Sequence, residues 1–297
     1  MNFTHLAAFF AVVETGSVTA ASERSHVSQP ALTREIRELE ERLGVALFDR
    51  LPRGMQPTEA GQLLADYAAQ IFSLANAAEA AIGEFAGLTR GQLGIGSSRT
   101  IGAYLLPRVL NEFRTRFPSI TVDLRISNSE KIESAVLAND RQIGMIEGPY
   151  DTAAFDAVVI GQDTLIPVAS PTHPLARKRQ ITPDTIGQAD LVMRESGSGT
   201  RTVVEQAYAK RGLTLSPKLC VGSSEAIKQL VRLGNAIAWV SRFTVAEELS
   251  SGALVQLSVK DMPIERSLSM IWRKGRSLSP SARAFRALVT EFYVRGA

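Results

Sequence analysis

The chain is short of the residues that most often carry chemistry. Its 297 residues include one cysteine, three histidines and two tryptophans. The lone Cys220 excludes an intramolecular disulfide and argues against a cysteine-based zinc site. His5, His26 and His173 are scattered, and no two have metal-ligand spacing on one helix, so no metal site is expected. A Gly-x-Ser-x-Gly elbow and a Ser-x-x-Lys pair are both missing. Gly94-Ile-Gly-Ser-Ser-Arg99 lacks the third glycine of a dinucleotide loop, and no phosphate loop occurs. No catalytic residue is therefore assigned, no cofactor is expected, and the chain is read as a non-enzyme.

Other absences bear on location and charge. No apolar run reaches the length that crosses a bilayer. The first residues lack the basic region, apolar stretch and cleavage site of a signal peptide. A cytoplasmic protein with no membrane partner is the expectation. Lysine is missing before Lys131, and in residues 1–60 acids outnumber arginines. The net charge of +3 thus arises late in the chain and is not itself a DNA footprint.

What is present is a patterned stretch from Ala21 to Gly44. It reads as a short helix, a turn and a longer second helix. Ser28 has cap chemistry, and Pro30 falls in the first turn, where no N–H is needed. Leu32, Ile36, Leu39 and Leu43 recur at helical spacing and predict one buried stripe. Ser28, Gln29, Pro30, Thr33, Arg34 and Arg37 crowd the amino-terminal end and the other faces. Such a helix suits a DNA major groove. An amphipathic helix in an ordinary bundle has the same spacing, so the pattern alone leaves both open. Val45–Phe48 has β character, a turn is predicted at Asp49–Gly54, and Met55-Gln56 return beside it. Arg50 and Arg53 on this wing are candidates for phosphate or minor-groove contacts.

Phe9–Ser22, Val27–Arg34, Leu39–Arg50 and Thr58-Glu-Ala-Gly61 together resemble the LysR-type transcriptional regulators in order and spacing. Length and later segments fit too, so the resemblance spans the chain. Ser25, Pro57 and Glu35 depart from the family pattern. The first two bear on packing, the third on base reading. The resemblance implies a winged helix-turn-helix at residues 1–60, a linker and dimerisation helix with hinge at 58–90, and an effector domain at 91–297. That last domain is expected to be two-lobed, α/β and periplasmic-binding-protein-like, with lobe one at 91–163 and 265–297 and lobe two at 164–264. It also implies double-stranded DNA with an interrupted palindrome as partner, a homodimer or dimer of dimers, and RNA polymerase as a further partner. The alternative is a cytoplasmic solute-binding protein, against which the leading helix-turn-helix argues.

Thr58 is placed to cap a long helix. Ala60, Leu64, Tyr67, Ile71, Leu74, Ala78, Ala81 and Phe85 alternate spacings of four and three, the seam of a coiled coil. Such a seam needs a partner, which is the residue-level reason to expect a dimer. The hinge is read at Gly87–Gly91. From Gln92 onward short apolar strands alternate with amphipathic helices, which predicts a parallel sheet covered on both faces.

Ligands of open parallel sheets bind beyond the strands' carboxyl ends. Small hydroxyl and glycine residues stand at four such ends, around Ser97, Ser98 and Thr100, at Ser129, around Ser196, Gly199 and Thr200, and at Ser223. Each precedes a helix and offers free N–H donors, which suits a small anion; simple helix capping explains the same residues. Arg194–Arg201 resembles the second-lobe loop of the family branch of sulfur- and carbon-assimilation regulators. The expected effector is a small anionic co-inducer. Glu147, at the end of an apolar strand, is read as a gate that repels an anion or as a direct ligand contact; a solvent-facing loop acid is the plain alternative.

Overall fold

The computed structural model describes residues 2–25, 27–51, 54–85 and 91–294. By backbone contacts it divides into a unit of residues 1–79 and a unit of residues 80–297.

In the first unit, α1 (Phe3–Thr15) starts at Asn2, whose side chain accepts from the His5 N–H, and ends at Gly16 in the left-handed region. Then come α2 (Val18–Ser25) and α3 (Gln29–Leu43), closed by left-handed Gly44. Ser28 stands at the cap position of α3, but its hydroxyl makes no cap bond. Leu32, Ile36 and Leu39 are buried as the spacing requires, whereas Leu43 is exposed, because the helix ends there before reaching the core. Ser25, where the family carries an apolar residue, is exposed and bonds the Ala21 carbonyl, so the departure leaves no gap.

The wing begins later than predicted. β1 (Phe48–Leu51) and β2 (Gly54–Pro57) pair through the residues read as a turn, and Val45 is exposed. Glu40 explains the shift. Its Oε1 accepts the Leu47 and Phe48 N–H groups at 2.7 and 3.3 Å, which fixes the chain between helix and strand.

Helix α4 (Glu59–Phe85) is capped by Thr58, whose Oγ1 accepts the Gly61 N–H at 3.0 Å. Its apolar residues divide between two faces. Ala65 and Ala68 are buried in the core of the same unit, and Leu64, Ile71 and Phe72 lean on it. Leu63, Tyr67, Leu74 and Ile82 are exposed. The predicted seam is therefore split: Leu64 and Ile71 belong to the domain's own core, while Tyr67 and Leu74 face outward. The side chains of Ala81 and Phe85, and residues 87–90 of the predicted hinge, lie outside the described residues, while Gly91, its last residue, opens a strand.

In the second unit, β3 (Gly91–Ser98) leads through a π-turn at Ile101–Leu105 into α5 (Leu106–Arg116). Next are β4 (Ile120–Ser127), α6 (Ser129–Leu137), β5 (Ile143–Glu147) and the long β6 (Phe155–Ala169). Then follow α7 (Pro183–Gly187), β7 (Leu191–Arg194), α8 (Gly199–Ala209), β8 (Leu219–Val221), α9 (Ser224–Leu233) and β9 (Ile237–Ser241). The chain ends with α10 (Ala246–Ser250), β10 (Val255–Gln256), β11 (Ile264–Arg273) and α11 (Pro280–Tyr293).

The sheet order is β4-β3-β5-β11-β6-β9-β7-β8, with β10 on β6. It is mixed, not parallel. Each end is parallel, but β11 runs antiparallel to both β5 and β6, and β6 antiparallel to β9. The reason is the double crossing: the chain passes to the second lobe along β6 and returns along β11. The paired strands reach from one lobe into the other, and residues 155–164, which carry no clear apolar alternation, become strand by pairing with β11. Separate cores flank each lobe, one around Phe113 and Phe285, another around Tyr208 and Trp239. Among the described residues no single helix is long and apolar enough to cross a membrane.

Candidate functional site

Two places gather the predicted residues, one in each unit. On α3, Ser28, Gln29, Pro30, Arg34 and Arg37 are exposed and Thr33 is half-buried. Thr33 Oγ1 bonds back to the Gln29 carbonyl at 2.8 Å, so its proton is already used. A groove of about 540 Å³ lies between α3 and the hairpin, lined by Thr33, Arg37, Glu40 and Met55 among others. Arg34 is not free: its guanidinium lies 3.3 Å from Glu35 and 3.7 Å from Glu38. His5 of α1 reaches the same two carboxylates at 3.3 and 3.2 Å, a contact between helices that spacing within one helix could not reveal. Arg50 lies on β1, but its side chain, and all of Arg53, fall outside the described residues.

The second site lies where β3, β5, α8 and β11 meet, and its centre is a buried ion triad. Arg266 is wholly buried between Glu147 and Asp163. Its Nε donates to Asp163 at 2.8 Å, Nη1 to Glu147 and to Thr200 Oγ1 at 2.8 Å, and Nη2 to Thr100 Oγ1 at 3.3 Å, while Nη2 also lies 2.7 Å from Asp163 as an ion pair. Glu147 Oε1 also accepts Ser98 Oγ–H at 2.7 Å and the Thr100 N–H at 3.1 Å. Asp163 accepts from Ser241 at 2.9 Å. Burial by itself raises both carboxyls. At Glu147 it is outweighed by the Arg266 charge and the Ser98 and Thr100 bonds, which hold this carboxyl below the usual range. At Asp163 burial prevails over Arg266 and Ser241, and the Glu147 charge adds to the rise.

Of the nine predicted effector residues, Ser98, Thr100, Ser129, Glu147, Gly199 and Thr200 come together. Ser129 Oγ lies 3.4 Å from both the N and O of Glu147. Gly199 packs so closely that a Cβ there would collide with the Glu147 carbonyl. Three expectations fail. Ser97 turns its hydroxyl to its own backbone, at the Ser98 carbonyl, since strand alternation points it away from Ser98. Ser196 is exposed, and only its carbonyl bridges the lobes, accepting from Asn128 at 3.2 Å. Ser223 is exposed and caps α9 through the Ala226 N–H. Glu147 is no solvent-facing loop acid: it is 3% exposed and paired.

Arg266 and Asp163 were not anticipated as site residues. A signal existed for Arg266, which shares the alternating phase of Ile264, Leu268 and Met270 on β11. A charge in the buried phase of a strand demands a buried partner. At the mouth, Arg194 and Arg99 share Glu195 at 2.8 and 3.6 Å, and the Arg99 Nε is buried without a partner.

Residues 3–62 match the model for the bacterial regulatory helix-turn-helix protein, lysR family, and residues 86–293 match the LysR substrate binding domain. The chain belongs to the LysR family. It is 33% identical to the RuBisCO operon transcriptional regulator of Allochromatium vinosum, over 97% of this chain and 95% of that one. The regulatory domain of Synechocystis PCC6803 CcmR, solved in complex with 2-PG, superposes with a TM-score of 0.63 at 28% identity, over 69% of this chain and 98% of that one. CbnR, a structure solved with its target DNA, shares the fold along the whole of both chains, with a TM-score of 0.74 at 24% identity. This LysR-family chain is therefore a DNA-binding transcriptional regulator with an effector-binding domain, not an enzyme or a free solute-binding protein.

Gly199→Ala tests the contact between the lobes. The added methyl forces α8 from the Glu147 carbonyl and strains the Thr200–Arg266 bond. A loss of about 1–3 kcal/mol is expected in denaturant unfolding, as for overpacking elsewhere. An unchanged midpoint would mean that the contact relaxes without cost.

Proposed function

We propose that this regulator binds an interrupted palindrome as a homodimer, and that a small oxyanion or short carboxylate switches it by replacing the Glu147 carboxylate. One observation carries the effector reading: Ser98 Oγ, the Thr100 N–H and Arg266 already converge on a carboxylate, which is Glu147's own. Arg266 already makes four hydrogen bonds and is ion-paired with both carboxylates, so an anion gains that partner only by exchange. Arg99, with its unpartnered Nε, supplies positive charge at the entrance. Glu147 is thus an internal competitor rather than a distant repelling gate. The relation to RuBisCO-operon regulators and the 2-PG complex of CcmR favour an anion of carbon metabolism within the sulfur- and carbon-assimilation branch. Such a ligand shifts the lobes only by binding one arrangement better than the other.

Isothermal titration of the full-length protein with 2-PG, sulfate, nitrate and short carboxylates checks this. At least one anion is expected to bind, about tenfold more tightly to Glu147→Gln, whose amide competes less well for Arg266, and more weakly to Thr100→Ala. Binding of uncharged or cationic compounds alone overturns the exchange reading.

The dimer reading rests on Leu63, Tyr67 and Leu74, an apolar face of α4 that its own unit leaves exposed. Tyr67→Asp with Leu74→Asp is expected to give monomers by light scattering while the helix-turn-helix stays folded. An unchanged oligomer would locate the interface elsewhere.

For DNA, the support is the exposed amino-terminal end of α3. Gln29 and Arg34 are assigned to bases, Ser28, Pro30, Thr33 and Arg37 to the surrounding contacts, and Arg50 and Arg53 to the backbone. Arg34→Ala is expected to lose about 1–3 kcal/mol of discrimination at one base pair. Glu35→Gln should strengthen binding, because it releases Arg34 from a carboxylate. Fluorescence anisotropy on single-base variants of the upstream site measures both, and equal weakening of every site by Arg34→Ala would reassign it to phosphate.

A further inference from the structure

A groove of about 670 Å³ lies along β11 and borders the cluster around Glu147 at Arg266, without Glu147, Thr100 or Thr200 in its lining. Its floor is strand. Ser267 and Ser269 share one face of β11, because side chains alternate, and Arg266, just before them, turns toward the triad. One wall is α8, which presents Val203, Gln206 and Lys210 at helical spacing. The rest of the lining is Gly148–Tyr150, after β5, on one side of β11 and Val159 of β6 on the other.

The two ends can be told apart. At one end the Gly148 N–H donates to the Ser267 carbonyl at 2.9 Å, and a Cβ on Gly148 would touch Val203. Ser269 lies at this end. At the other end Arg211, one residue beyond Lys210, holds the Asp261 carbonyl. From Val203 to Lys210 the helix advances about 10 Å at its usual rise. The volume is in the ordinary range for a small-molecule site, roughly 300–1,000 Å³.

Two polar groups in the groove lack protein partners. Ser269 Oγ is fully buried and has no hydrogen-bond partner. A buried hydroxyl left so costs about 1–3 kcal/mol, a cost a ligand's polar group can remove. Lys210 is exposed and forms no ion pair among the described residues. Lys210 and Arg211 stand against one acid on the lining, Glu265, so the outer end favours an anion. Between the ends, Pro149, Val159 and Val203 offer apolar surface.

We propose that this groove is a second ligand site, for an elongated monocarboxylic acid with an apolar body and a hydrogen-bonding group at its far end. The carboxylate pairs with Lys210, the body lies on Val159 and Val203, and the far group bonds Ser269 Oγ. Since α8 carries Thr200 to Arg266 and also walls this groove, a ligand here loads the same helix that closes on the triad. The site depends on no assumption about which effector the first site takes.

The probe is 8-hydroxyoctanoate, which carries a carboxylate and a hydroxyl at opposite ends of an apolar chain, titrated into the full-length protein by calorimetry. Octanoate and 1,8-octanediol are the controls that lack one end each. The hydroxy acid is expected to bind once per chain and more tightly than either control. Lys210→Glu should weaken both acids at least tenfold. Ser269→Ala should weaken the hydroxy acid several-fold, leave octanoate unchanged, and keep or raise the melting temperature. Thr100→Ala, in the first site, should leave all of this unaltered. Failure of every probe to bind at millimolar concentration, binding indifferent to Lys210→Glu and Ser269→Ala, or binding lost in Thr100→Ala would each overturn the proposal.

Discussion

A guanidinium with no solvent exposure must find protein acceptors for five N–H groups, and the meeting of the lobes is organised around that demand. Arg266 answers it with four hydrogen bonds, to two carboxylates and two threonine hydroxyls. Those partners come from the turn after β3 and from β5, β6 and α8, so one side chain ties together both lobes and the two crossing strands. The charges do not balance. Two carboxylates against one arginine leave one excess negative charge, which pushes the two acids apart: Glu147, with the better hydrogen bonds, stays low, and Asp163 rises. Removing one member of such a buried set costs about 3–5 kcal/mol, because the remaining charge is stranded.

That constraint gives a physical form to the switch of a LysR-type regulator. The donors that would recognise an anion are not waiting empty. A tethered carboxylate satisfies them, and it has the advantage of being local. A free ligand must compensate by its own charge or by contacts at the mouth, near Arg99 and Arg194. In the proposed exchange, specificity would follow from what can displace Glu147.

The amino-terminal unit shows the same economy of partners. Glu40, one of the acids that made the charge pattern look unsuited to DNA, fixes the wing through two backbone N–H groups. Glu35 and Glu38 are held by His5 and in turn engage Arg34. The acids that dilute the net charge of this unit have structural tasks near the reading helix, so net charge was a poor guide to it. Helix α4 divides its apolar residues between two faces, with Ala65 and Ala68 buried in the unit's core and Leu63, Tyr67 and Leu74 exposed.

Local pattern was enough for much of this. Caps and stops at Asn2, Gly16, Gly44 and Thr58, the stripe Leu32–Ile36–Leu39, and the strand–helix alternation after Gln92 are all set by residues close in sequence, and they give the element order and the family. The tertiary structure decided what depends on distant partners. The start of the wing depends on Glu40, the phase of α4 on which apolar residues its own core takes, and the mixed direction of the sheet on two crossings of one chain. Ser98, Thr100 and Thr200 were legible as donors and acceptors because they sit at strand ends before helices. That they enclose Glu147 and Arg266 was not, for the Arg266–Glu147 pair joins residues 119 apart. Spacing along a chain encodes neighbours on one helix or strand; it carries no record of which buried charge will meet which, because that is settled only when the strands cross.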